Sequence, residues 1–281
     1  MTAAQAPDNT NPFDALIDAN AADAALISAA YEQHRTNRNK RNADLMLDST
    51  FEGMVPDTVL SGLLANPSVP DVRNGLSIWA RPPKHICGLV KNLQDRLAAL
   101  APNIWIVPGS YLHLTVLEIA HSRTPEEIAS LVEVLRPHFG RIKDCLAGQS
   151  SRLVHPQLSF DAGAIALSFV PDVSASYTHH HLRRDVSEAV RKSRTPLKAR
   201  YVVPTAHITV ARFVSISDFG RDGQPTDLAR VAKWIRTIEE INRELKSEVW
   251  SQPSSSWEIG PESLTAFFGT NWYGHAEGSF N

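Results

Sequence analysis

The chain has 281 residues, 43% of which are hydrophobic, and its 28 Lys and Arg residues nearly balance 30 Asp and Glu residues to give a formal net charge of −2. Such a chain can bury the core of one large globular domain, and its charge balance argues against duplex DNA as a partner, because duplex binding needs a broad basic face. No apolar run reaches bilayer length and the first thirty residues lack Lys, Arg and an apolar leader segment, so we expect no membrane partner and a cytoplasmic or nuclear location.

The first 73 residues are predicted to form an extension of the main domain. Residues 1 to about 10 are small and polar and are expected to be disordered. Apolar residues at helical spacing follow from Pro12, which predicts a helical arm that ends in the polar run from His34 to Asn42. The basic residues of this run are expected to face solvent, with contact to RNA or a partner as the alternative. Residues 43–73 contain three prolines and predict turns and short helices.

Residues 74–281 are predicted to form the main domain, in which strands and helices alternate. Alternating or continuous apolar stretches predict strands over residues 76–81, 104–107, 112–119, 153–160, 164–170, 206–214 and 263–269. Amphipathic stretches predict helices over residues 84–99, 125–146, 176–193 and 226–248. The order of these elements predicts an α+β fold with two similar lobes and a cleft between them.

Two of the predicted strands, one in each lobe, carry the same short pattern. Their sequences are YLHLTV and AHITV, in which apolar residues flank one His and one Thr. Residues i and i+2 of a strand share a face and lie roughly 7 Å apart, so His113 points with Thr115 and His207 points with Thr209. If the two polar faces oppose each other, the cleft contains two imidazoles and two hydroxyls.

This set of side chains fits attack of water on a phosphodiester. One neutral His can take a proton from the nucleophile while the other, protonated, gives one to the leaving oxygen, and an ordinary His pKa of about 6.5 allows both forms near neutrality. The hydroxyls of Thr115 and Thr209 can donate to phosphate oxygens in the transition state. The predicted mechanism therefore requires no metal or other cofactor.

Other His and Cys residues are expected to have structural or surface roles. A third His-x-Thr, at His34, lacks the apolar alternation and is expected on a solvated surface. Three consecutive His residues, 179–181, point about 100° apart on a helix and form no metal site by themselves, so a solvated helix face is expected, or a modest basic rim together with Arg183 and Arg184. Cys87 and Cys145 match no metal spacing and are expected to be free thiols.

The stretches YLHLTVLEIA and TAHITVARF resemble the two signature motifs of the two-histidine phosphoesterase superfamily, and most closely its ligase-like branch, which includes RNA 2′,3′-cyclic phosphodiesterases. The resemblance implies two βα lobes related by pseudo-twofold symmetry, each contributing one His-x-Thr motif to a central cleft. It also implies metal-independent hydrolysis or exchange at cyclic or 2′-5′ phosphates. The first motif departs from the family pattern, because VLEIA stands where the family has an LxFLG ending, and residues 1–73 have no counterpart in the bacterial pattern.

Four more residues are candidates for substrate contact. The resemblance suggests that Arg212 contacts phosphate or nucleotide, although a regular strand would turn it away from His207, so a bulge is required; a surface salt bridge is the alternative. Trp272 and Tyr273 are candidates for stacking on a base, or else for core packing. Tyr111 shares the His113 face and is a weaker candidate.

The predicted activity is metal-independent hydrolysis of 2′,3′-cyclic or 2′-5′ phosphodiesters on nucleotides or RNA ends, with His113 and His207 as the acid-base pair. The partner is thus a nucleotide or a short RNA end, and a monomer is favoured. Two alternatives are a 3′-5′ RNA-trimming exonuclease of the same superfamily and a nucleotide-binding module without turnover. The sequence leaves open which His is the acid, because the two motifs are alike.

Overall fold

The structure, a computed structural model, describes residues 10–197, 202–220 and 226–281. The disorder expected for residues 1 to about 10 therefore falls almost entirely outside the described part of the chain. The helices are α1 Asp14–Ala19, α2 Ala24–Leu47, α3 Thr58–Ala65, α4 Lys84–Leu100, α5 Pro125–Leu135, α6 Phe139–Asp144, α7 His179–Lys192 and α8 Leu228–Glu244. The strands are β1 Asn74–Ala80, β2 Trp105–Ile106, β3 Leu114–Arg123, β4 Ser151–Phe160, β5 Ala164–Pro171, β6 Ala206–Arg212, β7 Trp257–Ile259, β8 Leu264–Gly269 and β9 Gly278–Phe280.

The strands form one antiparallel sheet in the order β7-β4-β5-β6-β3-β1-β8-β9, with β2 paired to the end of β6. The two predicted His strands meet at the centre of this order, where Leu114 pairs with Ile208. Four strands of this order lie on each side of the junction, which gives the sheet two matching halves. The predicted α+β fold with a central cleft between two similar lobes is confirmed.

Amphipathic helices cover the sheet. Helix α8 buries Val231, Trp234, Ile235 and Ile238 and contacts β4 and α2. Helix α5 begins as its sequence predicts, with a capping box between Thr124 and Glu127 and Pro125 in the first turn. The predicted helix over 125–146 is nevertheless divided, because Pro137 lies in a 3-10 turn between α5 and α6.

The N-terminal arm differs from the single helix that its apolar spacing predicts. Ala21 and Ala22 adopt positive φ angles of 49° and 57°, and a new helix begins after Asp23, whose carboxylate caps it. Helix α2 then continues through the polar run instead of ending there. Its polar side chains donate to carbonyls of β4, with Arg35 bonded to His155 at 2.6 Å and Asn42 bonded to Phe160 at 2.7 Å.

The expectation that the basic run faces solvent is therefore wrong for Arg35, which is buried, and Arg38 pairs with Asp161 at 2.6 Å. Periodicity fails here because α2 packs with a hydrogen-bonding face as well as an apolar one. Phe13, Ile27 and Tyr31 of the arm belong to the same buried core as the sheet.

The expectation for the three consecutive His residues is also wrong. His179, His180 and His181 are buried at the start of α7, and Arg183 is buried with them, so they form neither a solvated face nor a basic rim. His180 bridges to the N-terminal arm, since Nδ1 lies 3.0 Å from the Tyr31 hydroxyl and Nε2 lies 3.0 Å from the Phe13 carbonyl.

Among the described residues, no helix combines the length and the apolar character that crossing a bilayer requires. Within the same residues, no group of three or more His, Cys, Asp or Glu side chains is arranged to hold a metal ion. Cys87 and Cys145 are free thiols, as predicted.

Candidate active site

A cavity of about 270 Å³ opens where β3 and β6 meet. All eight residues that the sequence singles out line it, namely Tyr111, His113, Thr115, His207, Thr209, Arg212, Trp272 and Tyr273. His113 lies one residue before β3, after a 3-10 turn at Gly109–Tyr111, and not within the strand as predicted. Each His still shares the cavity with the Thr two residues later, which is the arrangement that the alternation predicts.

The imidazole of His113 is held on two sides. Its Nδ1 lies 2.8 Å from the carbonyl oxygen of Tyr111, which can only accept, so Nδ1 carries the proton and Nε2 is the basic nitrogen of the neutral ring. Its plane stacks on Trp79 with centroids 4.0 Å apart. The C-terminal tail crosses at Gly274, where φ is +89° and an added Cβ would collide with the Tyr111 oxygen, so this crossing requires glycine.

The imidazole of His207 has a different partner at the equivalent nitrogen. Its Nδ1 lies 3.2 Å from the hydroxyl oxygen of Thr205, again two residues earlier in the chain. A hydroxyl can donate or accept, so this contact permits the proton on either ring nitrogen. The two motifs are therefore alike in their strands and unlike in what fixes the tautomer.

Burial lowers the pKa of both His residues. The pKa of His113 falls to about 4, chiefly because the ring is desolvated, with the charges of Arg81 and Arg212 acting in the same direction. The pKa of His207 falls to about 3 for the same main reason, and nearby cations again contribute. Both rings are thus neutral in the free protein near pH 7, which differs from the unperturbed pKa assumed from the sequence.

Each His strand contains a bulge directly after its Thr. In β6 the register passes from the pair Thr209 and Ala166 to the pair Ala211 and Ile165, which skips Val210. The bulge that Arg212 requires is therefore present, and Arg212 lines the cavity.

The first strand has the equivalent bulge. In β3 the register passes from the pair Thr115 and Trp79 to the pair Leu117 and Ile78, which skips Val116. This shift brings Glu118 to the cavity wall, five residues after His113 as Arg212 is five residues after His207. Glu118 and Arg212 are therefore structural counterparts with opposite charge.

The segment between α2 and α3 also reaches the cavity, through Asp57. Its carboxylate lies 3.6 Å from the guanidinium of Arg212 and accepts a hydrogen bond of 2.8 Å from the Tyr273 hydroxyl. The guanidinium of Arg73 lies over the rings of both Trp272 and Tyr273, 5.1 Å from each centroid. The aromatic tail is consequently fixed at the cavity wall and not buried in the core.

Several residues that shape this site were not expected from the sequence. Arg81 donates to the carbonyls of Leu112 and Gly274 at 3.0 and 3.3 Å and so supports the backbone on both sides of His113. Trp79, Glu118 and Asp57 were also missed. The only available signal was the strict five-residue spacing that relates Glu118 to Arg212, and its meaning depends on a bulge.

No family model and no curated protein matches the chain. Structural neighbours include TT0787 of Thermus thermophilus, with 18% identity and a TM-score of 0.34 over 50% of this chain and 75% of its own. A conserved protein of unknown function from Agrobacterium tumefaciens has 12% identity and a TM-score of 0.48 over 81% and 94% of the two chains. Usb1 of Kluyveromyces marxianus, solved with uridine monophosphate, has 11% identity and a TM-score of 0.42 over 74% and 97%.

All three likenesses lie below 25% identity and below a TM-score of 0.5. Likeness at these identities and TM-scores carries no argument about substrate or reaction. The inference about chemistry therefore depends on the residues of this chain.

Proposed function

We propose that the protein is a phosphodiesterase that hydrolyses 2′,3′-cyclic or 2′-5′ phosphodiesters of a nucleotide or an RNA end. The observation that carries the proposal is the convergence of two His-x-Thr motifs on one cavity, with a fixed partner at Nδ1 of each ring. That partner orients each ring, and Nε2 is the atom assigned to the substrate. Arg212, Thr115 and Thr209 line the same cavity and supply donors for the phosphate oxygens.

On a 2′,3′-cyclic phosphate, one His accepts a proton from water and the other His gives a proton to the leaving oxygen, so the step is balanced. A water oxygen attacks phosphorus while Nε2 of one His takes the water proton, and the bond from phosphorus to the 2′ or 3′ oxygen breaks as the other His protonates that oxygen. The product is a phosphomonoester with a free hydroxyl. The two rings then exchange their protons with solvent, and no metal ion takes part in these steps.

The lowered pKa values set the expected pH dependence. Because both rings are neutral above pH 6.5, the singly protonated form that the mechanism needs becomes more abundant as the pH falls towards the two lowered pKa values, about 4 for His113 and about 3 for His207. We expect kcat/KM to rise as the pH falls from 8 to 5. A phosphate anion in the cavity favours the charged ring, so kcat should depend less steeply on pH than kcat/KM.

Hydrolysis of the four 2′,3′-cyclic nucleotides in EDTA, measured from pH 5 to 9 with identification of the product phosphate, tests the proposal. Chelator-resistant turnover to one phosphomonoester is the expected result. Absence of turnover on cyclic nucleotides and on short RNA with cyclic or 2′-5′ ends would contradict it. The cavity volume of about 270 Å³ favours a single nucleotide or one RNA end over a longer strand, since ligand pockets commonly span about 300–1,000 Å³.

A further inference from the structure

Two polar side chains are buried against the two bulges. Gln94 of α4 is 4% exposed and Arg183 of α7 is 2% exposed. A buried amide or guanidinium without partners would cost several kcal/mol, so each of these residues must be explained by what it binds. Neither belongs to the cavity wall.

Gln94 binds the bulge of β6. Its Nε2 donates to the carbonyl oxygen of Val210 at 2.9 Å and to the carbonyl oxygen of Val107 at 2.8 Å. The Val107 amide also donates to the Val210 oxygen, at 3.1 Å. One side-chain amide thus ties the skipped residue of β6 to the segment that leads from β2 towards His113.

Arg183 binds the bulge of β3. Its Nε donates to the carbonyl oxygen of Val116 at 3.2 Å, and Nη1 donates to the carbonyl oxygen of Val203 at 3.0 Å. Its guanidinium lies over the ring of Phe13, 4.5 Å from the centroid. The same type of backbone oxygen is therefore held in both motifs, by a side chain from a helix.

The two contacts cross between the halves of the sheet. Helix α4 follows β1, which pairs with β3, but its Gln94 holds β6. Helix α7 follows β5, which pairs with β6, but its Arg183 holds β3. Each motif is thus fixed by the helix of the opposite half, at the residue that decides which way the next side chains point.

We propose that Gln94 and Arg183 are positioning residues, which hold the Val210 and Val116 bulges and thereby direct Arg212 and Glu118 into the cavity. The proposal depends on the proposed function only for the nature of the ligand, a phosphate. Without the Gln94 bonds, β6 can regain regular register beyond Thr209, and Arg212 then turns to the opposite face.

The test is a double-mutant cycle on the affinity for inorganic phosphate, with Gln94→Met and Arg212→Gln. Methionine keeps the size of the side chain and removes both donors. We expect Gln94→Met to weaken phosphate binding about threefold to tenfold, as the loss of one or two buried hydrogen bonds implies, and to have no further effect once Arg212 is replaced. An equal loss in both backgrounds would show that Gln94 does not act through Arg212 and would overturn the proposal.

The matched control is Gln33→Met, at an exposed position of α2, which should leave the affinity for phosphate unchanged. A second measurement uses the unaltered protein and therefore does not require the Gln94→Met variant to fold. The side-chain amide of Gln94, followed by nitrogen-15 NMR, should shift when phosphate saturates the protein and should not shift in Arg212→Gln. An unmoved resonance at saturation would also overturn the proposal.

Because these readouts measure binding, they separate the two proposals. A protein that binds phosphate through Arg212 with coupling to Gln94, but turns over no cyclic nucleotide or RNA end, would retain the positioning role and lose the phosphodiesterase assignment. Turnover of these substrates without coupling between Gln94 and Arg212 would retain the phosphodiesterase assignment and overturn the positioning role.

Discussion

His113 and His207 occupy equivalent places in the two halves of the sheet, yet their rings are held differently. Nδ1 of His113 meets a backbone carbonyl, whereas Nδ1 of His207 meets the Thr205 hydroxyl. The carbonyl fixes the proton on Nδ1 and leaves Nε2 basic, and the hydroxyl permits either tautomer. The two strands are therefore alike, but the chemistry of their rings is not. We expect His113 to act as the base, and His207, which has the lower pKa and is the stronger acid once protonated, to act as the acid.

A second difference lies five residues beyond each His. Glu118 and Arg212 reach the cavity through equivalent bulges but carry opposite charges. An anion that enters the cavity is attracted to the Arg212 side and repelled from the Glu118 side. The phosphate is thus expected to lie on the β6 side of the cavity, although the strands on the two sides are alike.

The largest expected effect tests whether both halves are needed. His113→Ala and His207→Ala should each lower kcat/KM by about 10²–10⁴-fold, because each removes one proton-transfer partner. His34→Ala is the matched control, since it also removes a His from a His-x-Thr sequence but lies in α2 outside the cavity wall. Full activity in either cavity variant would show that this His is not needed for proton transfer.

The next effect concerns stability and depends on both rings being buried as neutral groups. Their pKa values in the folded protein, about 4 for His113 and about 3 for His207, lie below the unfolded value near 6.5. As the pH falls below 6.5, the unfolded chain takes up protons first, so folding stability is present above pH 6.5 and is lost towards pH 4. The loss is of order 2–3 kcal/mol for each ring by pH 4.5.

Urea unfolding at pH 7 and pH 4.5 measures this loss. The double variant His113→Asn, His207→Asn should lose clearly less stability between the two pH values than the natural protein does. The buried His179 and His180 remain in both proteins and act as an internal control. An equal loss in both proteins would mean that the cavity rings are not desolvated.

An intermediate effect of opposite sign is expected for the charged pair. Arg212→Gln should weaken the affinity for inorganic phosphate about tenfold, and Glu118→Gln should strengthen it by a similar or smaller factor, since a change of 1.4 kcal/mol corresponds to tenfold. Isothermal titration of phosphate at two ionic strengths provides the measurement. If both substitutions weaken binding, Glu118 does not repel the phosphate, and the phosphate is not confined to the Arg212 side of the cavity.

The sequence was sufficient to predict most strands and the two motifs, because these depend on local alternation, but strands β7 and β9 were not predicted. A bulge in β6 was required only if Arg212 was to reach the cavity, with a surface salt bridge as the alternative. The sequence was not sufficient to predict the second bulge, at Val116, because Glu118 carries no obvious sign that it belongs to the cavity. Strand register depends on hydrogen bonds between segments distant in sequence, and these are invisible to periodicity.

The buried polar residues were also not predictable from the sequence. Arg35, Gln94 and Arg183 are buried because carbonyls of remote strands accept their hydrogen bonds. Arg35 and Arg183 were expected on solvated surfaces, because Arg is a residue type that is usually exposed. Asp57 was not expected at the site for a related reason. Its approach to Arg212 depends on how the segment before α3 runs beside the end of β6, where the Asp57 amide donates to the Phe213 carbonyl at 2.8 Å.

The smallest expected effect concerns the different partners of Nδ1 in His113 and His207. Thr205→Val removes the hydroxyl beside Nδ1 of His207 and leaves the His113 contact, which uses a backbone atom, in place. A protonated His207 would lose an acceptor for its second N–H, so its pKa should fall further and kcat/KM should decrease about threefold to tenfold, as expected for one neutral hydrogen bond. Thr205→Ser keeps the hydroxyl and should restore most of the activity.

The Thr205→Ser variant distinguishes this effect from simple disturbance of packing. Because the pKa of His207 is about 3, a further fall in that pKa should lower kcat/KM by the same factor at every pH from 5 to 8 if His207 is the acid. A loss that Thr205→Ser does not restore would indicate a steric cause. Unchanged activity in Thr205→Val would instead fit His207 as the base, because its ring is already neutral at these pH values, and would reverse the roles assigned to the two halves.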